Sequence, residues 1–160
     1  DPRADGAPRM KPGVERVLAG IAARLRDDAV PALAGGFAGQ QLDRALPLLQ
    51  GAIEEFDRAA ARRADEIRAL RTLFADAAPA VDDARLARAL AEAAQAPPSR
   101  ADALRVSALE RTLAPLRALL IELHEWTETS ASPHAVRLSR AVWAELREST
   151  ARRRLSIDRF

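Results

Sequence analysis

The sequence predicts an all-α protein, an up-and-down bundle of about five helices, one of them long and kinked. Three observations predict it. Two stretches carry apolar residues in an unbroken four-three rhythm. The first is Leu42, Leu46, Leu49, Ile53, Phe56, Ala60, Arg63, Ile67, Leu70 and Phe74; the second is Val106, Leu109, Leu113, Leu116, Leu120, Leu123 and Thr127. That spacing draws one stripe down one side of a helix, and the stripe must be buried against other helices. Alanine, leucine and arginine dominate, while aromatic residues make up only 4%, which suits residues that lose little on entering a helix. No segment sustains the alternation of a half-buried strand.

The elements follow in order. Residues 1–12 are polar and rich in Pro and Gly and are expected to be a disordered tail or an expression remnant. Residues 13–160 are expected to form one helical-bundle domain, long enough to bury a sizeable core. The first helix spans about 13–30, with Val14, Leu18, Ile21 and Leu25 inward. Pro31 ends it, because the residue before a proline is pushed out of the helical region. Gly35, Gly36 and Gly39 then supply a turn. The long helix covers about 40–77. Pro47 and Gly51 lie inside it, yet the apolar phase continues past them, so the expectation is a kink rather than a break. Pro79 closes it.

A short alanine-rich helix, about 82–96, opens on Asp82 and Asp83, where carboxylates meet unpaired amides and the positive end of the dipole. Leu86, Leu90 and Ala93 face inward, and Pro97-Pro98 stop it. The next helix is expected over about 99–129, from a capping-box-like Ser99 and Asp102. Pro115 bends it, and Ala118–Ile121, apolar nearly all round, predict a central position. The last helix starts at Ser132-Pro133 and runs to about Leu155, with Leu138, Val142 and Leu146 inward and Trp143 on a flank.

Composition excludes several classes. Cysteine is absent, which removes disulfides and thiolate metal sites. No stretch approaches the roughly 18 uncharged residues of a membrane span, and there is no secretory h-region; the expected compartment is the cytoplasm. The net charge is only +2 although the pI is about 10.2. With no Cys, no Tyr and the single Lys11, almost nothing loses a proton between His and Arg, so a small positive excess persists to high pH. The arginines mostly alternate with Asp and Glu, as on solvated helix surfaces, rather than clustering as a nucleic-acid binder requires. Neither nucleic acid nor a membrane is an expected partner.

Candidate chemistry is sparse. His124, Glu125 and Glu128 come nearest to a metal motif, but the position four residues after His124 is Glu rather than His, and no Glu-x-x-His exists anywhere. The favoured arrangement is a surface pair of His124 with Glu128, and no metal or cofactor is expected. Glu54, Glu55, Asp57, Asp65 and Glu66 are carboxylates on the long helix. Acid–base work needs two such groups in a cleft with pKa values pushed apart. Each lies at helix spacing from Arg58, Arg62, Arg63 or Arg68, so surface pairing is expected. Arg63 differs, because it falls on the apolar stripe itself. It either snorkels from the edge while Ala64 turns inward, or finds a carboxylate or an anionic ligand. Arg63, His124 and Trp126 are the candidate ligand contacts, and no catalytic residue is assigned. Gly35–Gly39 follows a helix and lacks a succeeding Lys-Ser/Thr, so it is no phosphate cradle. Arg152-Arg153-Arg154-Leu155-Ser156 fits a basophilic kinase site or an acidic partner, although basic residues at a helix C-terminus also stabilise the dipole alone.

Residues 14–56 contain Leu25-Arg26-Asp27-Asp28-Ala29-Val30-Pro31-Ala32-Leu33 followed by a long helix. This element resembles one in small bacterial helical domains encoded beside aminoglycoside-phosphotransferase-like kinases and acyl-CoA dehydrogenases. The resemblance covers about a quarter of the chain and supplies no catalytic residue. It implies an accessory or binding role in small-molecule metabolism. The expected function is therefore a non-enzymatic helical interaction module, acting on a protein partner or on its own copy. The alternative is a sensor or enzyme with an apolar inter-helix pocket near Arg63 for an acyl or anionic ligand.

Overall fold

The computed structural model describes residues 13–96 and 105–156. They are helical with no strand among them. The elements are α1 (Val14–Arg24), a π-turn (Leu25–Ala29), α2 (Val30–Ala32), α3 (Phe37–Ala77), a 3₁₀ turn (Ala78–Ala80), α4 (Ala84–Gln95), α5 (Val106–Thr129) and α6 (Ala135–Arg153). The described residues cluster into two compact units. One holds the chain up to Asp57 together with Leu155 and Ser156; the other is Arg58–Arg154. Among the described residues no helix is long and apolar enough to cross a membrane.

The C-terminal unit carries the core. Phe74, Leu70, Leu90, Leu113, Leu123, Leu138 and Val142 are its largest fully buried side chains, drawn from the second half of α3 and from α4, α5 and α6. Cross-helix pairs give the helix directions. Asp82 meets Trp126 and Arg85 meets Glu122, so α4 and α5 run oppositely. Arg63 meets Glu110 and Glu66 meets Arg117, so α3 and α5 run the same way. Glu66 also holds Arg153 while His124 meets Trp143, which turns α6 against α5. Four helical segments thus alternate down the chain, in the topology that short connections favour.

Local chemistry explains most boundaries. Asp83 caps α4, accepting the Leu86 N–H at 2.8 Å, which satisfies one of the four free amides of the first turn. At the other end of the unit Arg58 donates to the carbonyls of Arg152 and Arg154, covering the C-terminus of α6 with a positive charge. α3 is continuous through Pro47, and α5 through Pro115. Both prolines lie on exposed faces, where the carbonyl each leaves unpaired meets water.

Several expectations are corrected. Pro31 does not end the first helix. The chain widens into a π-turn, with the Val30 N–H reaching back to the Leu25 carbonyl, and Pro31 enters α2, where its missing N–H costs nothing. The inward line of α1 is Leu18, Ala22 and Leu25, with Ala22 fully buried, whereas Val14 and Ile21 are exposed. α3 begins at Phe37 because the turn is completed by Gly35 alone, at φ +83°. Phe56 is exposed and Ala59 is buried in the next turn; a 3.6-residue turn slides the buried line off a strict heptad. Arg105 is extended, so α5 starts at Val106 rather than running unbroken from Ser99; Ser99 and Asp102 lie outside the described residues, as does the tail 1–12. Ala118 and Ile121 are exposed, so α5 keeps a solvent face and is not central. α6 starts at Ala135. The Ser132 hydroxyl accepts the His134 N–H at 3.3 Å, which makes a turn ahead of the helix rather than its cap.

Candidate functional site

The polar centre of the C-terminal unit is an ionic ladder across α3, α5 and α6. Arg63 donates through Nε to Oε2 of Glu110 at 2.8 Å and through Nη1 to the Ala59 carbonyl at 3.1 Å. Glu110 Oε1 accepts Nη1 of Arg117 at 2.8 Å. Arg117 then grips Glu66 with a two-pronged contact, Nε to Oε1 at 2.8 Å and Nη2 to Oε2 at 2.9 Å. Arg153 of α6 donates Nη2 to Oε1 of the same glutamate at 2.8 Å. Such planar, charge-assisted forks are the strong ion pairs.

Local sequence places each member. Glu66 precedes Ile67 and lies four residues before Leu70, so its turn of α3 faces the core; its side chain is only 5% exposed. Glu110 and Arg117 are seven residues apart, beside the inward Leu109 and Leu116, so they share one edge of α5. Arg153 extends from the last turn of α6. Next to it, Arg152 pairs with Glu145 and approaches Glu148 at 3.9 Å.

The environments of the two inner glutamates differ. Burial pushes the Glu66 carboxyl up, but hydrogen bonds and charge from Arg117 and Arg153 outweigh it and hold the group below the usual carboxylate range. Burial also pushes Glu145 up; Arg152 offsets only part of this, Glu66 and Glu148 add to it, and Glu145 stays above the usual range. Glu110 is held low chiefly by its hydrogen bond from Arg63.

Beside the ladder lies a cavity of about 240 Å³. Its apolar wall is Leu70, Leu120 and Leu146, and its polar wall includes Arg117, Glu145, Ser149 and Arg153. The expected candidate residues are not gathered there. Arg63 is in the ladder, held by Glu110 of a neighbouring helix. His124 sits fourteen residues beyond Glu110 on α5, about 20 Å along the helix. Its ring packs edge-to-face on Trp143 at 5.2 Å. Its Nε2 lies 3.5 Å from Glu128 Oε1 without making a hydrogen bond. Trp126 donates Nε1 to Asp82 at 3.0 Å, tying α5 to the start of α4. Among the described residues no three His, Asp or Glu side chains come together as a metal site.

Glu66 was expected to pair with arginines at helix spacing on the surface; the structure buries it and pairs it across helices. Its neighbour Asp65 makes the local pair, with Arg68. Arg117, Glu145, Ser149 and Arg153 were not singled out individually. The available signal was the seven-residue separation of Glu110 and Arg117 beside the stripe, together with Glu66 on the same turn as Ile67.

The N-terminal unit offers a different surface. Val14, Val17 and Ile21 recur on one face of α1 and are 52%, 43% and 46% exposed. Leu33, Phe37, Leu48 and Phe56 are also exposed, while the large side chain buried among the described residues of this unit is Leu46. Searches of protein-family models, curated proteins and solved structures give no match to the chain.

Proposed function

We propose that the protein is a non-enzymatic helical interaction module and that its N-terminal unit associates with a second copy. One observation carries this: Val14, Val17 and Ile21 form an apolar line on α1 that is about half exposed. Contiguous exposed apolar faces of this kind mark association surfaces, and a segment with so small a core of its own gains stability by covering them. The flanking charges, Glu15 and Arg16 at one end and Arg24, Asp27 and Asp28 at the other, are of both signs. A two-fold contact, which sets the same patch against itself, needs that mixture.

Light scattering during size-exclusion chromatography tests the proposal. A dimer is expected at protein concentrations up to about 1 mM, the range of weak association. Val17→Glu with Ile21→Glu should shift the population to monomer without loss of helicity. A chain that remains strictly monomeric over that range overturns the proposal, as does a dimer indifferent to both substitutions. The accessory role in small-molecule metabolism implied by the Leu25–Leu33 element is compatible with such a module, and rests on that resemblance alone.

A further inference from the structure

We propose that the outer face of α6 is a docking seam for an acidic amphipathic helix of another protein. The seam is two interleaved columns at seven-residue spacing. Val136, Trp143 and Thr150 form one, and Arg140, Arg147 and Arg154 form the other. All six are exposed, Val136 by 63% and Trp143 by 49%. The seam lies wholly in the C-terminal unit and stands or falls separately from the association through α1.

Helix geometry puts the six on one stripe. Steps of four and three residues keep side chains in line, and the stripe runs about 27 Å from Val136 to Arg154 at 1.5 Å per residue. Leu138, Val142 and Ser149 are buried on a different face of α6, so covering the seam leaves the core as it is. A hollow of about 330 Å³ opens beside the indole. Among the described residues its lining is Trp143, Leu146, Arg147, Thr150 and Arg154, with no carboxylate. A second helix of the same period, apolar in one column and acidic in the other, seats an apolar side chain there and sets its carboxylates against the arginines. Tryptophan and arginine are also the residues that dominate the energy of such contacts.

Charge selects the partner. The carboxylates of α6 are Glu145 and Glu148, and both reach towards Arg152. From α5, His124 sets its ring against Trp143, and Glu128 lies 3.5 Å from that imidazole. The side chains of Arg140, Arg147 and Arg154 make no hydrogen bond or ion pair with a described residue. A second copy would set the same uncompensated arginines against one another. A nucleic-acid duplex carries a phosphate every ~3.4 Å along each strand, so guanidinium groups about 10.5 Å apart answer about one phosphate in three. A helix with carboxylates at the same seven-residue interval answers each arginine in turn.

Calorimetric titration of the full chain tests the seam. The probe is a synthetic three-heptad helix with leucine in one column, glutamate in the other, and alanine and glutamine elsewhere. Its lysine-for-glutamate counterpart and a duplex oligonucleotide are the controls. The acidic peptide should bind saturably with Kd below about 1 mM, and both controls at least tenfold more weakly. Arg147→Glu should weaken the acidic peptide at least tenfold and admit the lysine peptide, a reversal that a weakened fold does not produce. Val17→Glu with Ile21→Glu should leave the affinity unchanged, which separates this site from the α1 association. The proposal is overturned if the acidic peptide gives no saturable heat, if the oligonucleotide binds as tightly, or if Arg147→Glu binds the acidic peptide as the wild type does. It is equally overturned if Arg147→Glu dissolves a dimer of the free chain, which makes a second copy the occupant.

Discussion

Glu66→Gln is the substitution whose cost the geometry defines best. The glutamate accepts three charge-assisted hydrogen bonds at 2.8 to 2.9 Å from two arginines. Glutamine keeps an acceptor at one oxygen position and turns the other into an amide NH₂, a donor facing the donor Nη2 of Arg117. Arg153 loses the carboxylate it pairs with, and Arg117 is left with Glu110 alone. Removing one partner of a buried ion pair costs about 3–5 kcal/mol, because the other charge stays buried and unpaired. Arg117 is one-third exposed and Arg153 about half, so water restores part of their solvation and the low end applies, about 3 kcal/mol. At an m-value of about 2 kcal/mol/M the urea midpoint should fall by about 1.5 M. Circular dichroism through a urea titration at neutral pH reads it, with an unchanged m-value as the sign that only stability moved. A loss below about 1 kcal/mol, the range of exposed pairs, refutes the claim that this carboxylate is structurally buried.

Four residues carry the remaining predictions. A Cβ on Gly39 would lie 2.3 Å from the Leu33 carbonyl oxygen, whereas one on Gly20 meets nothing within 4 Å. Gly39→Ala should therefore lower Tm while Gly20→Ala, inside a helix, raises stability by about 0.5–1 kcal/mol, both read by thermal melts. Leu113→Ala should cost about 2–5 kcal/mol in urea, since Leu113 is fully buried in the C-terminal core and leaves a cavity. Glu145 has its folded pKa raised, so the stability linked to its proton is fully present below the ordinary glutamate pKa and is lost as pH rises through the folded value. Glu145→Gln should therefore gain on the wild type as pH rises above the ordinary glutamate pKa, as paired urea titrations will show. The lowered Glu66 acts in the opposite sense: the stability it contributes is present above its unfolded pKa and is lost as pH falls through its folded one.

The helices were legible because their signals are local. The 113–116–120–123 rhythm gives α5 its buried edge, and Asp83 caps α4 as its sequence position implies. The errors arise where a local rule met a tertiary contact. Proline at 31 reads as a stop only if the helix cannot widen, and a π-turn lets it. In α1 the bulkiest residues were assigned inward, but small Ala22 took the buried place, and side-chain volume alone gives no warning of that. Arg63 on the apolar stripe left two outcomes open, snorkelling from the edge or an internal partner, and the structure shows the partner. Glu110 lies 47 residues away, and nothing in either local pattern couples the two. The cavity was still less legible, since its wall combines three helices whose mutual placement is a property of the packed unit.

The ladder has a cost that its position in a leucine-rich core makes testable. Burying ion pairs seldom adds net stability, because desolvation offsets the attraction. What the Arg63–Glu110 and Arg117–Glu66–Arg153 pairs can supply is register. Leucines repeat along α5 at equivalent spacings, so sliding α5 by one turn against α3 would still set leucines against the apolar line of α3. The same slide would move Glu110 and Arg117 off their partners and leave charges buried alone. Glu66→Leu combined with Arg117→Leu should therefore be about as stable as the wild type in urea, within about 1 kcal/mol, in contrast to the single Glu66→Gln. It should also be less uniquely packed, with broadened amide resonances and increased binding of a hydrophobic dye. A double variant as unstable as the single one would show that the ladder holds the helices together energetically. A double variant that is stable and sharply dispersed would show that the leucines alone fix the register.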